Sequence, residues 1–305
     1  MLWLILGLSI KGGIQVELKK LRESKFAKLY LAAPKSAKIN FLVGLILDIF
    51  LISLVIFGPL FAPYNPNEMI FDPLEKPSWK NIMGTDSFGR DLFSRLCIGT
   101  RYSLGISLIA VGVSLTIGVL LGSTSGFLGG TLDKFLMLIM DSLYVFPGFI
   151  LVLIMAVVLG PGIWQTALAI SIQRIPGNFR MIRSLTISVK ERGFIESERV
   201  MGASDWHIIR HHIAPFYLSI LFVTVSLGMA RGTLSVAGLG FLGLGIPPPA
   251  PEWGTELAMG RPFLLMGAWW LIIFPGLFVL IAMLGFNLLS EGLDEISNPA
   301  LRRLK

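Results

Sequence analysis

The stretch FIESERVMGASDWHIIRHHIAPF, Phe194 to Phe216, gathers the groups best suited to chemistry. It holds all three histidines of the chain, His207, His211 and His212, together with Glu196, Glu198, Asp205, Arg199 and Arg210. His207 and His211 stand at i, i+4, a spacing that puts two imidazoles on one helix face, as in zinc hydrolases. The residues between them are Ile208, Ile209 and Arg210, so the glutamate that acts as general base in such sites is missing. Polar surface on a helix is the stronger reading. Cys97 is the single cysteine, which excludes an internal disulfide and a cysteine-cluster metal site. No G-x-x-x-x-G-K-[ST] occurs, so the chain has no evident means of holding ATP phosphates. GLGFLG at Gly238–Gly243 matches G-x-G-x-x-G but lacks a preceding strand and a βαβ setting, and reads as an irregular turn. The expectation is a chain that is not an enzyme and binds no metal or cofactor itself.

The elements that carry this segment are apolar. Of 305 residues, 54% are hydrophobic and only 15% charged, against roughly 25% charged in soluble domains. A soluble fold this apolar would expose large patches, so the membrane class comes first. Segments of about 20 apolar residues are the spanning signal. They run from Phe41 to Ala62, Tyr102 to Phe127, Phe135 to Gly160, Ile163 to Arg183 (more polar), just after Pro215 to Val236, and Ala268 to Leu289. Helices are the economical structure for them, because lipid offers backbone groups no partners. The fold class expected is all-α, polytopic, with six transmembrane helices. The net charge of +7 lies in loops beside apolar spans and forms no stripe for nucleic acid.

Loop charge orients the spans. Lys11, Lys19, Lys20, Arg22, Lys25, Lys28, Lys35 and Lys38 precede the first span, which places residues 1–38 in the cytoplasm. Six spans return residues 291–305, with Arg302, Arg303 and Lys305, to the same side. The division expected is a first helix over 39–62, an extracytoplasmic segment over 63–99 and a five-helix core over 100–290, with a cytoplasmic loop at 190–215. MLWLILGLSI at the start is too short to span, and an interfacial anchor and an artefact of start-site choice both stay open.

Phe194–Phe216 itself reads as helix–turn–helix. Phe194, Ile195, Val200 and Met201 are the apolar positions of a short amphipathic helix. Gly202 can take positive φ and end it. Ser204 can cap a second helix that starts at Asp205 and presents Trp206, Ile209 and Ile213. Pro215 then falls in the first turn of the fifth span. Two short rigid helices in a loop make a knob that can fill a groove on another protein.

This stretch resembles the EAA loop of the membrane subunits of binding-protein-dependent ABC importers, in Glu196, Gly202, Ala203, Ile213 and Pro215 and in the run GASDW. It departs from the family at Ser197 and Glu198, where Ala-Ala is usual. MGTDSFGRDLFSRLCIGTRYSL (83–104), GFLGGTLDKFLMLIMDSLYVFP (126–147), GFLGLGIPPPAPEWG (240–254) and FPGLFVLIAMLGFNLLSEGLDEISNP (274–299) resemble the C-type permease subunit of dipeptide, oligopeptide and nickel importers. The resemblance covers roughly Lys38 to Pro299 and implies a type I ABC importer permease in a prokaryotic plasma (inner) membrane. It implies a distinct B-type permease partner, two ATPase subunits that carry ATP and Mg, and an extracytoplasmic solute-binding protein. The loop would be the coupling element in an ATPase groove. The main rival is a secondary transporter, which would purify without ATPase subunits.

Ionisable residues inside spans are functional candidates. Asp141, Arg174 and Arg231 qualify. Counted from the cytoplasmic ends of their spans at 1.5 Å per residue, they stand about 10, 13 and 24 Å up. Asp141 and Arg174 could therefore pair or line a pathway, while Arg231 could line an outer vestibule or snorkel. In the outer segment, Asp86, Arg90, Asp91 and Arg95 suggest a helix from about Arg90 with Asp91 and Arg95 paired at i, i+4. That helix is either locked by ion pairs or a contact for the binding protein or partner permease. Gly118, Gly122 and Gly126, and Gly228 and Gly232, recur every fourth residue and predict close helix packing, within the chain first and between subunits second.

Overall fold

The computed structural model describes residues 25–297, and among them every regular element is helical. The MLWLILGLSI run, the lysines and arginine at 11–22, and Arg302, Arg303 and Lys305 lie outside the described residues. The order is α1 (Lys25–Ala32), α2 (Lys35–Phe61), α3 (Leu92–Leu128), α4 (Gly130–Tyr144), α5 (Gly148–Leu159), α6 (Ile163–Lys190), α7 (Gly193–Val200), α8 (Asp205–Ile208), α9 (Leu218–Phe241), α10 (Trp253–Gly260) and α11 (Trp270–Ser297). A π turn at Ile209–Ile213 and a 3-10 turn at Ala214–Tyr217 join α8 to α9.

Four helices, α2, α3, α9 and α11, are long and apolar enough to cross a membrane. The third predicted span is not one straight helix. α4 and α5 meet at 90° and count as a fifth crossing only if taken together. The break falls at Pro147, which has no N–H to continue the helix and pushes Phe146 away from helical backbone. The fourth predicted span is α6, whose 28 residues reach about 42 Å. It carries Gln165, Gln173, Arg174, Asn178, Arg180 and Arg183, too many polar groups to stand in lipid alone. The set is consistent with six spans, one bent and one polar.

α6 tolerates that polarity because α3 lies against it at close range. A Cβ added to Gly118 would meet Asn178 Cβ at 2.6 Å, one on Gly122 the Phe179 carbonyl at 2.7 Å, and one on Gly126 the Arg183 carbonyl at 2.8 Å. The every-fourth-residue glycines are thus an intrachain seam that lets two backbones approach. Around it Phe179 and Ile182 are fully buried, and Asn178 donates to Ser114 Oγ at 3.3 Å. The second glycine pair also packs within the chain, Gly228 toward Val111 and Arg174, Gly232 toward Ser107. α2 closes on α11 in the same way, with Gly44 against the backbone at Gly285 and Leu289. Elsewhere a large core joins α2, α3, α10 and α11 around Leu51, Leu96, Trp253 and Phe278.

Side chains at the seam are therefore expected to act through backbone separation. Gly122→Leu should cost about 1–3 kcal/mol of overpacking, lower the melting temperature of the purified protein and reduce its membrane level. Gly112→Leu, on the same helix but with no atom near its Cβ position, should leave both unchanged. Equal melting of the two variants would remove the seam as a determinant of the fold.

Candidate functional site

The loop at 190–215 is the knob that its sequence suggests. α7 ends at Val200 with Met201 as its C-cap, and Gly202 follows with φ +84°. The turn is closed by Gly202 N–H donating to the Arg199 carbonyl (3.0 Å) and Ala203 N–H to the Glu198 carbonyl (3.1 Å). Ser204 caps α8, accepting from the His207 N–H at 3.4 Å, and Asp205 opens the helix. Pro215 enters α9 through the 3-10 turn, where its missing N–H leaves no gap. Ile195, Ile208, Ile209 and Ile213 are buried against Phe127 of α3 and Ile182 and Val189 of α6. Arg199 lies 4.9 Å over the Phe127 ring, Lys190 Nζ donates to the Phe127 carbonyl, and Thr186 and Tyr217 share a 2.5 Å hydroxyl contact. The knob is thus fastened to α3 and α6.

Two assignments within it change. Only Ile195 of the apolar positions in α7 is buried, while Val200 and Met201 stand 84% and 72% exposed at the turn. Trp206 is likewise exposed and does not join Ile209 and Ile213. Helix rotation sets this: the isoleucines lie on the side that faces the spans, and the remaining apolar residues crown the tip. Glu196 and Ser197 are exposed, with Ser197 Oγ donating back to Gly193, and Glu198 lies 3.5 Å from His212 Nε2. His207 and His211 stack with ring centroids 4.4 Å apart, and His211 Nδ1 lies 3.2 Å from the His207 carbonyl. Among the described residues no three His, Cys, Asp or Glu converge on a metal position.

Inside the membrane the pairing differs from the sequence expectation. Asp141 accepts from Arg180 Nη2 at 2.6 Å and not from Arg174. Arg183 binds Asp133 through two bonds of 2.5 and 2.6 Å, and Ser125 also donates to Asp133. The reason is helix length. α6 continues to Lys190, two turns beyond the apolar pattern, so Arg174 stands about 24 Å up and Arg180 about 15 Å, while Asp141 is about 16 Å up α4. Arg231, about 20 Å up α9, is then level with Arg174. Both arginines line an open-sided cavity of about 720 Å³ between α5, α6 and α9 and the end of α4, with Arg231 on its exposed side. Sequence reasoning missed Asp48, which is 2% exposed in α2 against Gly285 and has no hydrogen-bond partner among the described residues. The rule that selected Asp141 would have found it, since it interrupts an apolar span.

At the far end the four charges are interior. Asp86 pairs with Arg90 at 2.5 Å, and Asp91 does not pair with Arg95. The helix begins at Leu92, so Asp91 becomes its cap and accepts from Ser94 N–H (2.8 Å) and Oγ (2.7 Å). Arg95 is fully buried and binds Glu256 of α10 at 2.6 and 3.0 Å, the Pro66 carbonyl at 2.7 Å and, at 3.7 Å, Asp86. Glu252 caps α10, accepting from Thr255 N–H and Ser103 Oγ. Burial pushes the carboxyls of Glu252 and Asp91 above the usual range, and these hydrogen bonds oppose the shift. The GLGFLG run ends α9 and carries the turn beyond it, where Gly240 makes room for α10.

Residues 118–303, which hold the seam, the cavity and the knob, match the family described as binding-protein-dependent transport system inner membrane component. Residues 40–77 match the N-terminal transmembrane domain of oligopeptide transport permease C. A probable D,D-dipeptide transport system permease of Escherichia coli (strain K12) is 37% identical over 83% of this chain and 85% of its own length. A di/tripeptide transport system permease of Pseudomonas aeruginosa (strain UCBPP-PA14) is 36% identical over 85% of this chain and 88% of its own. A glutathione transport system permease of Pectobacterium atrosepticum is 38% identical over 83% and 84%. The chain belongs to the binding-protein-dependent transport system inner membrane components, the membrane-spanning permease subunits of ABC importers, which are not themselves enzymes.

Proposed function

We propose that this subunit carries small peptides or related solutes across a prokaryotic inner membrane, paired with a homologous B-type permease. Two ATPase subunits dock from the cytoplasm and a solute-binding protein from outside. ATP and Mg reside on the ATPases. The observation that carries the reading is the knob at 193–213. Its buried isoleucines tie it to α3 and α6, and its exposed tip offers Val200, Met201 and Trp206 to a partner. Such a tip, rigid on one side and apolar on the other, suits a groove on an ATPase. Movement of the groove then turns the ends of the helices that line the cavity. Peptides are favoured as cargo by the names of the relatives above. A bare nickel dication fits poorly, because the charged residues lining the cavity are both arginines.

The topology that accompanies this reading has both termini in the cytoplasm. In a Cys97→Ser background, Trp79→Cys should react with an impermeant maleimide on intact cells, and Val200→Cys only after lysis. Both positions are well exposed, so access alone decides the result. Labelling of Val200→Cys from outside would invert the arrangement.

Coupling is tested at the turn. Gly202 has φ +84° and open space around its Cβ position, so substitution strains the backbone and creates no clash. Gly202→Val should cost on the order of 1–3 kcal/mol at the loop and misdirect α7 or α8. The variant should reach the membrane and assemble with its partner permease. Stimulation of ATP hydrolysis by liganded binding protein should fall steeply in the reconstituted complex. Glu196→Ala should act in the same direction and more mildly. Normal stimulation and uptake with Gly202→Val would exclude the knob as the coupling element.

A further inference from the structure

The charge pattern along α6 is uneven. Its two lower arginines are neutralised by α4, Arg183 by Asp133 and Arg180 by Asp141. Arg174, at the level of the cavity, has no ion-pair partner among the described residues, and its buried Nε has no hydrogen-bond partner. Arg231 faces the same cavity from α9, also without a carboxylate, and the two cations repel each other. No Asp or Glu lines the cavity. An intramembrane charge normally pairs within the protein, because an unpaired one is costly. Two cations sharing one cavity without an anion leave a place for an anion that the chain does not supply.

The rest of the lining describes what accompanies that anion. Gln173, Asn178, Thr224 and Ser235 supply amide and hydroxyl groups, and Tyr144 and Phe149 supply aromatic surface. A volume of about 720 Å³ lies within the range of small-molecule sites, roughly 300–1,000 Å³. Amide-bonding groups, an apolar wall and guanidinium forks match a short peptide with a free C-terminal carboxylate. We propose that Arg174 and Arg231 form a carboxylate station in the translocation cavity, which receives the C-terminus of a peptide in transit and hands it from one guanidinium to the other. The proposal rests on the peptide-import reading above and adds which end of the cargo the permease recognises. Two competing cations hold the carboxylate without trapping it, as multi-site pathways require.

The test uses the complete complex of both permeases, the ATPases and the binding protein in proteoliposomes, with Ala-Ala as cargo. Arg174→Gln and Arg231→Gln should each lower uptake per ATP hydrolysed by about fivefold to tenfold, the scale of one charge-assisted hydrogen bond. Stimulation of ATP hydrolysis by liganded binding protein should stay within about twofold of wild type, because the coupling knob is untouched. Arg174→Lys should recover part of the loss. Equilibrium binding to the permease–ATPase complex without binding protein provides the second reading. The wild type should prefer Ala-Ala over its C-terminal amide by at least about fivefold, and the double Gln variant should lose that preference. Wild-type uptake in all Gln variants, or no carboxylate preference in the wild type, overturns the station. Loss of the partner permease from complexes of Arg174→Gln also overturns it, by assigning the guanidinium to a subunit contact. A wild-type complex that takes up no Ala-Ala and shows no stimulation would instead refute the peptide-import reading.

Discussion

The close approach of α3 to α6 is the constraint on which the other features depend. With hydrogen atoms at 118, 122 and 126, two backbones meet where side chains would hold them apart. This fixes the rotation of α6. Its seam face buries Asn178, Phe179, Ile182 and Thr186. The adjoining face then carries Arg174, Gly177 and Met181 into the cavity, with Asn178 at the edge between the two, while Arg180 and Arg183 reach the carboxylates of α4. A polar helix can occupy the bilayer interior only if its charges are placed in this way, either paired or in a hydrated cavity. In lipid, where apolar burial drives helix association weakly, backbone proximity and polar contacts must do more of the holding.

The same helix links the cavity to the knob. Thr186 and Val189, three and four turns below Arg174, contact Tyr217 and the buried isoleucines of the loop. In the proposed coupling, a displacement of α7 and α8 would press on these contacts. It would reach α6 and α9 through the cluster that holds Ile195, Ile208, Ile213 and Tyr217 with Ile182 and Val189. Those two helices carry Arg174 and Arg231. In the proposed coupling, relative movement of α6 and α9 would change the separation of the two guanidiniums.

Much of this was legible in the sequence, for identifiable reasons. The turn at Gly202 and the cap at Ser204 follow from local backbone chemistry, which three or four neighbouring residues decide. The glycine seam follows from a period of four. Pairing across helices was less accessible, because it depends on where each helix ends. The apolar pattern stops at Arg183, but α6 continues for two turns through Ser184–Lys190, where tertiary contacts with Phe127 and Tyr217 stabilise it. That extension shifts every height on the helix and moves the partner of Asp141 from Arg174 to Arg180. At the outer end an error of two residues in a helix start had a similar effect. Asp91 became a cap, and Arg95 turned inward toward Glu256, 161 positions away. The bend at Pro147 was signalled by the proline itself, and a reading based on hydropathy alone passed over it.

The buried charges divide the subunit into regions of different rigidity. At the end opposite the knob Arg95 ties together residues 66, 86, 249 and 256, and nearly all its donors are engaged. A satisfied network of this kind has one arrangement, and disturbing any member leaves another charge buried alone. The knob end is held by the isoleucine cluster and by Arg183 with Asp133. Between these two fixed ends lie the bend at Pro147 and the cavity with its unpaired cations. The helix is interrupted at the bend, and the cavity leaves one side of its lining unpacked. A permease must be stiff where partners grip it and yielding where cargo passes. Under the proposed function, the distribution of paired and unpaired charge assigns the yielding region to Arg174 and Arg231.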